Sequence, residues 1–398
     1  MDVSVQTAAT PAARLARDRR RRWFVSLGAV LVLIALIVLA WWLLVARFYE
    51  STDDAYVAGD RVNVMSQVNG TVVSIGADET DRVVPGQELV RLDATDSGIA
   101  LQDAEEQLAR TVRQTRTVFA TRDQLQAVVD QRQADLARAQ ADFQRRRNLA
   151  ASGAVSGEEL GHAQDALKAA RDALVAAQKN LAASSALVGR TGVADNPDVR
   201  AAATQVERAW LALVRTSVRA PVSGYVARRS VQLGERIAPG AALMSIVPLA
   251  RLWIDANFRE VQLRRMRIGQ PAKVVADLYG GQVTFHGRVA GLGLGTGSAF
   301  ALLPAQNATG NWIKVVQRVP VRIALDPREL AAHPLRIGLS TVVKIEVRDD
   351  SGPQLAQNPP GKPVLATGAF DIDRSEIRAR IVQIIRDNGG EGAAQTAQ

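Results

Sequence analysis

The chain has 398 residues, enough for two or three domains. It carries 49 Lys+Arg against 40 Asp+Glu, a formal charge of +9. Cysteine is absent, which excludes disulfide frameworks, thiol nucleophiles and Cys-based zinc sites. His162, His286 and His333 are the only histidines, and their wide spacing argues against a histidine metal or catalytic centre.

Residues 1–22 hold Arg14, Arg17, Arg19, Arg20, Arg21 and Arg22 against Asp2 and Asp18, which is +4 of the +9. No basic stripe with interleaved aromatics occurs elsewhere, so no nucleic-acid partner is expected. From Trp23 to Ala46 there is no charge for 24 residues. At about 1.5 Å per residue that stretch crosses a hydrocarbon core of about 30 Å. Trp23, Trp41 and Trp42 sit near its ends as interface anchors, and the arginines ahead of it predict a cytoplasmic N-terminus. A signal peptide would have an apolar region of about 7–15 residues and end at small residues. This one ends Trp-Trp-Leu-Leu, so a single-pass anchor is expected, with the bulk of the chain outside the cytoplasm.

Two segments then repeat at an offset of 154 residues. Gly70 to Gly86 spans 16 residues, and so does Gly224 to Gly240. Each copy alternates apolar and polar residues around a Pro-Gly pair, Pro85-Gly86 and Pro239-Gly240. Proline presets the first turn dihedral and glycine takes the positive φ of a type II turn. One such half exposes an apolar face that it cannot bury alone, so two halves are expected to pack as a small β-sandwich. The pattern resembles the biotinyl/lipoyl domain. The carrier versions need a modified lysine on the hairpin between the halves, yet no lysine lies between Val3 and His162. No covalent or other cofactor is therefore expected.

A helical insertion separates the halves. No proline occurs between Pro85 and Pro197, and Ala, Gln, Arg, Glu and Leu dominate. Apolar positions recur at heptad spacing. In the first arm they are Leu101, Ala104, Leu108, Val118, Leu125, Val129, Leu136, Ala139 and Phe143, with Thr111, Thr115, Arg122 and Arg132 filling the register. In the second they are Leu160, Ala163, Leu167, Ala170, Leu174, Ala177, Leu181, Ser184 and Val188. Ala151-Ser152-Gly153-Ala154-Val155 breaks the helix, and Ser156 with Glu159 forms a capping-box pattern. A second interruption falls at Gly189–Pro197. An antiparallel coiled-coil hairpin with arms of roughly 80 Å is predicted.

Leu252–Val347 reads as short strands: 253–256, 272–275, 287–290, 319–325 and 341–347. A small antiparallel barrel is predicted. After a Pro- and Asn-containing linker, Ile377, Ile381, Ile384 and Ile385 mark a short amphipathic helix. The fold class is therefore a multidomain α+β membrane-anchored protein. Its expected segments are 1–22 cytoplasmic, 23–46 anchor, 47–94 membrane-proximal strand and first lipoyl half, and 95–214 hairpin. Then follow 215–250 second lipoyl half, 251–347 barrel, and 348–398 linker and C-terminal helix.

This order resembles the periplasmic adaptors of Gram-negative tripartite efflux pumps (membrane fusion proteins of the HlyD family). Within them it is most similar to the EmrA-type adaptors. Residues 51–59 (STDDAYVAG), 65–68 (MSQV), 253–258 (WIDANF) and the stretch from Gly295 through Asn311-Trp312 to Arg318 carry the resemblance. It implies a non-enzymatic adaptor that links an inner-membrane, proton-driven major-facilitator exporter to a TolC-like outer-membrane channel. It also implies a homo-oligomeric ring, expected to be a hexamer. The family's tip motif is Arg, three residues, Leu, six residues, then Ser or Thr, and Arg145, Leu149 and Ser156 meet it. These three are the expected channel-docking residues. Asp53, Asp54, Tyr56, Asn307 and Trp312 are candidate exporter contacts. Asp53 and Asp54 have no polar partner near them in sequence, and a catalytic pair is not expected there. The alternative within the class is an adaptor for an ABC-driven (type I) protein or peptide secretion system.

Weaker motifs point elsewhere without support. Gly291, Gly293, Gly295 and Gly297 alternate but lack a phosphate-binding pattern, and a turn, bulge or close chain approach is expected there. Leu302-Leu303-Pro304 is expected in the barrel core.

Overall fold

A computed structural model describes residues 11–151, 153–189, 192–300, 316–359, 361 and 363–390, the side chains of 11–22 excepted. Two compact bodies result, one holding the anchor and barrel, the other the sandwich, hairpin and C-terminal helix.

In the first body, helix α1 (Pro11–Leu44) runs through the apolar stretch, and Trp23–Phe48 is long and apolar enough to cross a membrane, with a mean hydropathy of 3.0. Strand β1 (Tyr49–Ala58) follows directly. Before the chain returns to this body it forms, in the second one, β2 (Val62–Met65), β3 (Gly70–Ile75), β4 (Arg82–Val83), β5 (Glu88–Leu92), α2 (Thr95–Ala150), α3 (Gly157–Val188), α4 (Pro197–Val214), β6 (Ser217–Arg219), β7 (Gly224–Arg229), β8 (Arg236–Ile237) and β9 (Ala242–Val247). The barrel strands are then β10 (Trp253–Arg259), β11 (Pro271–Ala276), β12 (Thr284–Leu292), β13 (Arg318–Leu325) and, after α5 (Pro327–Ala332), β14 (Ser340–Glu346). The last element is α6 (Ser375–Gly389).

The barrel is closed in the order β1-β10-β13-β12-β11-β14. The five strands predicted from 253 to 347 are all present, but they do not close on themselves. The sixth comes from β1, which pairs antiparallel with both β10 and β14 and removes two open edges. Alternation is clean: Ile254, Ala256 and Phe258 point inward and are fully buried. Between Val289 and Gly291 the β12–β13 register shifts, and a Cβ on Gly293 would lie 2.8 Å from the Pro320 carbonyl. The glycine run thus begins with a bulge and a close chain approach. Leu302, Leu303 and Pro304 lie outside the described residues.

The sandwich consists of two four-stranded sheets, β2-β9-β7-β4 and β6-β5-β3-β8. Each sheet takes strands from both copies of the repeat, so neither copy owns a sheet. The hydrogen bonds are reciprocal at the same offset of 154 residues. Gly86 N–H donates to Ala220 O (2.9 Å), and Gly240 N–H donates to Ser66 O (2.8 Å). Val226 N–H donates to Asp81 O (2.9 Å), and Val72 N–H donates to Glu235 O (2.9 Å). Gly86 (φ 82°) and Gly240 (φ 87°) occupy the left-handed region, each in a turn closed by an i to i+3 bond, Gln87 to Val84 and Ala241 to Ala238. That is the type II geometry for which Pro85 and Pro239 preset the preceding φ.

Strands β5 and β6 are the feet of the hairpin. Glu88 on β5 accepts a hydrogen bond from the Ser217 hydroxyl on β6 (2.6 Å) and pairs with Arg91 (2.9 Å). The Ser217 hydrogen bond, aided by Arg91, holds the Glu88 carboxyl below its ordinary pKa. The folded state therefore binds this proton more weakly than the unfolded chain. The contribution to stability is complete above the ordinary glutamate range and is lost as pH falls through the lowered folded value. Ser217→Ala is expected to flatten that acid-side loss. Urea midpoints measured from neutral pH down into the acid range check it, and an unchanged slope would remove Glu88 from the account.

Helix α2 has 56 residues, about 84 Å at 1.5 Å per residue. The return arm is α3 and α4, interrupted between Val188 and Pro197 as predicted. Ala163, Ala177, Ser184 and Val188 are the buried positions of α3, all in the predicted seam. On α2 the buried side chains are Leu108, Val112, Thr115 and Val129. Val112 lies outside the predicted register. It is buried because α6 packs on the hairpin root from another side, where Ile377, Ile381, Ile384 and Ile385 meet Leu108, Val112, Val199, Ala202 and Val206.

Candidate functional site

The hairpin tip is built by two helix ends whose charges complement their dipoles. The last turns of α2 carry Arg145, Arg146 and Arg147, while Glu158 and Glu159 open α3. Asp142 takes Arg146 at 2.9 Å and Arg145 at 3.7 Å. Arg145 is largely solvated, and Leu149 is 44% exposed. The turn itself is a Schellman closure. Gly153 sits at φ 77°, its N–H donates to Ala150 O (3.1 Å), and Ala154 N–H donates to Leu149 O (3.2 Å).

Ser156 then caps α3. Its hydroxyl accepts from Glu159 N–H (3.2 Å), and the Glu159 carboxylate accepts from Ser156 N–H (3.1 Å). A cap of this kind contributes about 1 kcal/mol. Arg145 thus sits one turn before Leu149, and Leu149 and Ser156 bracket the reversal. Within the 151–155 stretch expected to break the helix, Gly153 is the residue in the left-handed region. Its signal was available, since a glycine just past a long helix is the usual left-handed terminator.

The residues expected at the membrane-proximal end divide differently. Trp23, Trp41 and Trp42 are exposed along α1. Arg20, Arg21 and Arg22 belong to α1, but their side chains fall outside the described residues, as do Asn307 and Trp312. Asp53 is exposed and Tyr56 is 47% exposed. Asp54 corrects the sequence reading, which gave it no polar partner. Arg318 reaches it at 2.6 Å and the Asn257 side-chain amide donates to it at 3.1 Å. Both partners lie more than 200 residues away, on β13 and β10. Asp54 therefore ties three barrel strands together beside the opening of the 293–317 connection.

A membrane-long helix, a barrel and a split sandwich carrying a long hairpin define a membrane fusion protein. Known proteins place the chain more closely. A family model for the EMRA alpha-helical hairpin domain matches residues 95–216. The multidrug export protein EmrA of Escherichia coli K12 is 47% identical over 350 residues, covering 88% of this chain and 90% of that one. The fatty acid resistance protein FarA of Neisseria gonorrhoeae is 52% identical over 303 residues, covering 76% and 77%. The solved structure of the periplasmic adaptor protein EmrA aligns with 75% of this chain and 99% of its own, at 17% identity and a TM-score of 0.38. The chain belongs to the EmrA family of membrane fusion proteins.

Proposed function

We propose that this protein is the adaptor of a tripartite multidrug efflux pump. It joins a proton-driven major-facilitator exporter of the inner membrane to a TolC-like outer-membrane channel. The arginines before Trp23 keep the N-terminus in the cytoplasm, α1 anchors the chain, and the remainder stands in the periplasm. The chain does no chemistry of its own; the exporter supplies the energy. Copies pack side by side in a ring, because one narrow hairpin cannot enclose a conduit, and the resemblance to the family makes that ring a hexamer. Asp53, Asp54, Tyr56, Asn307 and Trp312 are the proposed exporter contacts. Arg145, Leu149 and Ser156 dock on the channel: the guanidinium meets carbonyl or carboxylate oxygens, Leu149 is the apolar knob, and Ser156 fixes the turn.

The observation that carries this reading is the hairpin tip, where an exposed Arg145 and a 44% exposed Leu149 flank a tightly closed turn at the end of an arm of about 84 Å. Arg145→Asp replaces an attractive contact by a repulsive one, and losing a hydrogen-bonded charge pair at an interface costs about 2–5 kcal/mol. Drug resistance is expected to fall to the level of a strain without the adaptor. Membrane anchoring and co-purification with the exporter are expected to be unchanged, while co-purification with the channel is lost. Full resistance in this variant overturns the tip assignment.

A further inference from the structure

The end of the barrel that joins the anchor carries a cluster of basic side chains. The apolar span ends at Phe48, and three guanidinium groups gather on that one ring. Arg47 lies 4.7 Å from its centroid, Arg348 5.0 Å and Arg265 5.5 Å. Arg265 and Arg348 reach a carboxylate only at 4.0 Å, on Asp350 and Glu346. Arg47 has no ion pair among the described residues. Two further carboxylates nearby are hydrogen-bonded to neutral donors and keep their charge, Glu50 to the Gln262 amide (3.0 Å) and Asp349 to the Ser351 hydroxyl (2.6 Å).

The outer face of the barrel continues the pattern. Lys344 stands directly opposite Lys273 across β14 and β11, and both are exposed. Like charges directly opposite on one sheet face destabilise it. Lys344 also sits 4.3 Å from the Tyr49 ring, the first residue after the apolar span. In the β1–β14 register Lys344 faces Ser51, two residues beyond Tyr49 and therefore about 7 Å further along the strand. A headgroup layer is roughly 5–8 Å deep on each side of the hydrocarbon core. Arg47, Arg265, Arg348, Lys344 and Lys273 outnumber the carboxylates Glu50, Glu346, Asp349 and Asp350 beside them, and converging cations at that depth have a natural counter-charge.

We propose that Arg47, Arg265, Arg348, Lys344 and Lys273 form a binding collar for the phosphate groups of anionic lipids. The guanidiniums offer paired donors to phosphate oxygens, and the two lysines add point charges above them. The collar fixes how deep the barrel sits on the bilayer. The assignment rests on Trp23–Phe48 being a membrane anchor.

The test uses the full chain in nanodiscs of phosphatidylcholine alone or mixed with phosphatidylglycerol. Surface lysines are acetylated and quantified by mass spectrometry, with Lys168 and Lys179 of the hairpin as internal references. Lys344 and Lys273 are expected to react about fivefold more slowly in the anionic discs, the occupancy effect of one basic side chain at an anionic surface. Lys168 and Lys179 are expected to react equally in both. In Arg265→Gln/Arg348→Gln, where Arg348 is exposed and Arg265 half-buried, the circular dichroism is expected to be unchanged and the protection of Lys344 to shrink. Equal acetylation in the two discs, or protection that survives the double variant, overturns the collar. Protection by inorganic phosphate added to pure phosphatidylcholine discs overturns the lipid assignment in favour of a free anion. Failure of the chain to enter either disc overturns the anchor reading instead.

Discussion

Gly224→Ala is expected to damage the sandwich more than alanine at either left-handed turn glycine. A Cβ at position 224 would lie 2.6 Å from the Val247 carbonyl oxygen, 2.8 Å from its carbonyl carbon and 2.8 Å from the Ile246 Cγ2. Two of those three neighbours are backbone atoms of β9, which cannot swing aside without breaking their own ladder. Overpacking costs about 1–3 kcal/mol, and this site belongs at the upper end. At Gly86 and Gly240 the reason for glycine is different. A Cβ there meets nothing within 4 Å, but φ is 82° and 87°. Alanine at either turn costs about 1 kcal/mol through the backbone alone, and valine more, about 1–3 kcal/mol at each.

Asparagine separates the two mechanisms, because it tolerates the left-handed region. Gly86→Asn should recover most of what Gly86→Ala loses, whereas Gly224→Asn should recover nothing. Urea midpoints on the intact protein read this directly. Equal behaviour of the two asparagine variants would leave one of the two explanations without support.

The repeat was legible because its spacing encodes the turn chemistry twice, Gly70 to Gly86 and Gly224 to Gly240. Its interlocking was not legible. Alternation says which residues face the core, but not that β4 joins β7 while β8 joins β3. Long-range partners account for the other gaps. Local patterning marks β1 as a strand, yet only the open edges of β10 and β14 make it a barrel strand. Asp54 looks solvated until β13 brings Arg318 beside it. At the tip, helix-stop and helix-start signals are local, so Ser156 with Glu159 could be read directly. The collar on Phe48 was invisible for the opposite reason. Its arginines come from positions 47, 265 and 348, which only barrel closure brings together.

The amphipathic pattern of α6 was equally plain, but nothing local says what it covers. The structure seats it on α2 and α4, where Ile377, Ile381, Ile384 and Ile385 are 3–8% exposed. Ile→Ala in such a site costs about 2–5 kcal/mol, because a cavity is left behind. Ile381→Ala/Ile384→Ala is therefore expected to release α6 from the hairpin root, with less than additive cost since the two belong to one cluster. The polar pairs at the same contact matter far less. Arg380 meets Glu105 at 3.0 Å and Arg113 donates to Asn388 at 2.6 Å, and exposed pairs contribute about 0.2–1 kcal/mol.

Hydrogen exchange distinguishes these cases. Amides of 102–112 and 199–210 should lose protection in the isoleucine double variant, stay protected in Arg380→Ala, and leave the tip around 145–160 unchanged in both. Protection unchanged in the double variant would mean that the root holds without α6. The consequence for export follows from length. Over an arm of about 84 Å, a tilt of about 5° at the root moves the tip by about 7 Å, more than the reach of a hydrogen bond or an apolar contact. The isoleucine double variant should therefore lower drug resistance although it touches neither the tip nor the anchor. Arg380→Ala should leave resistance intact.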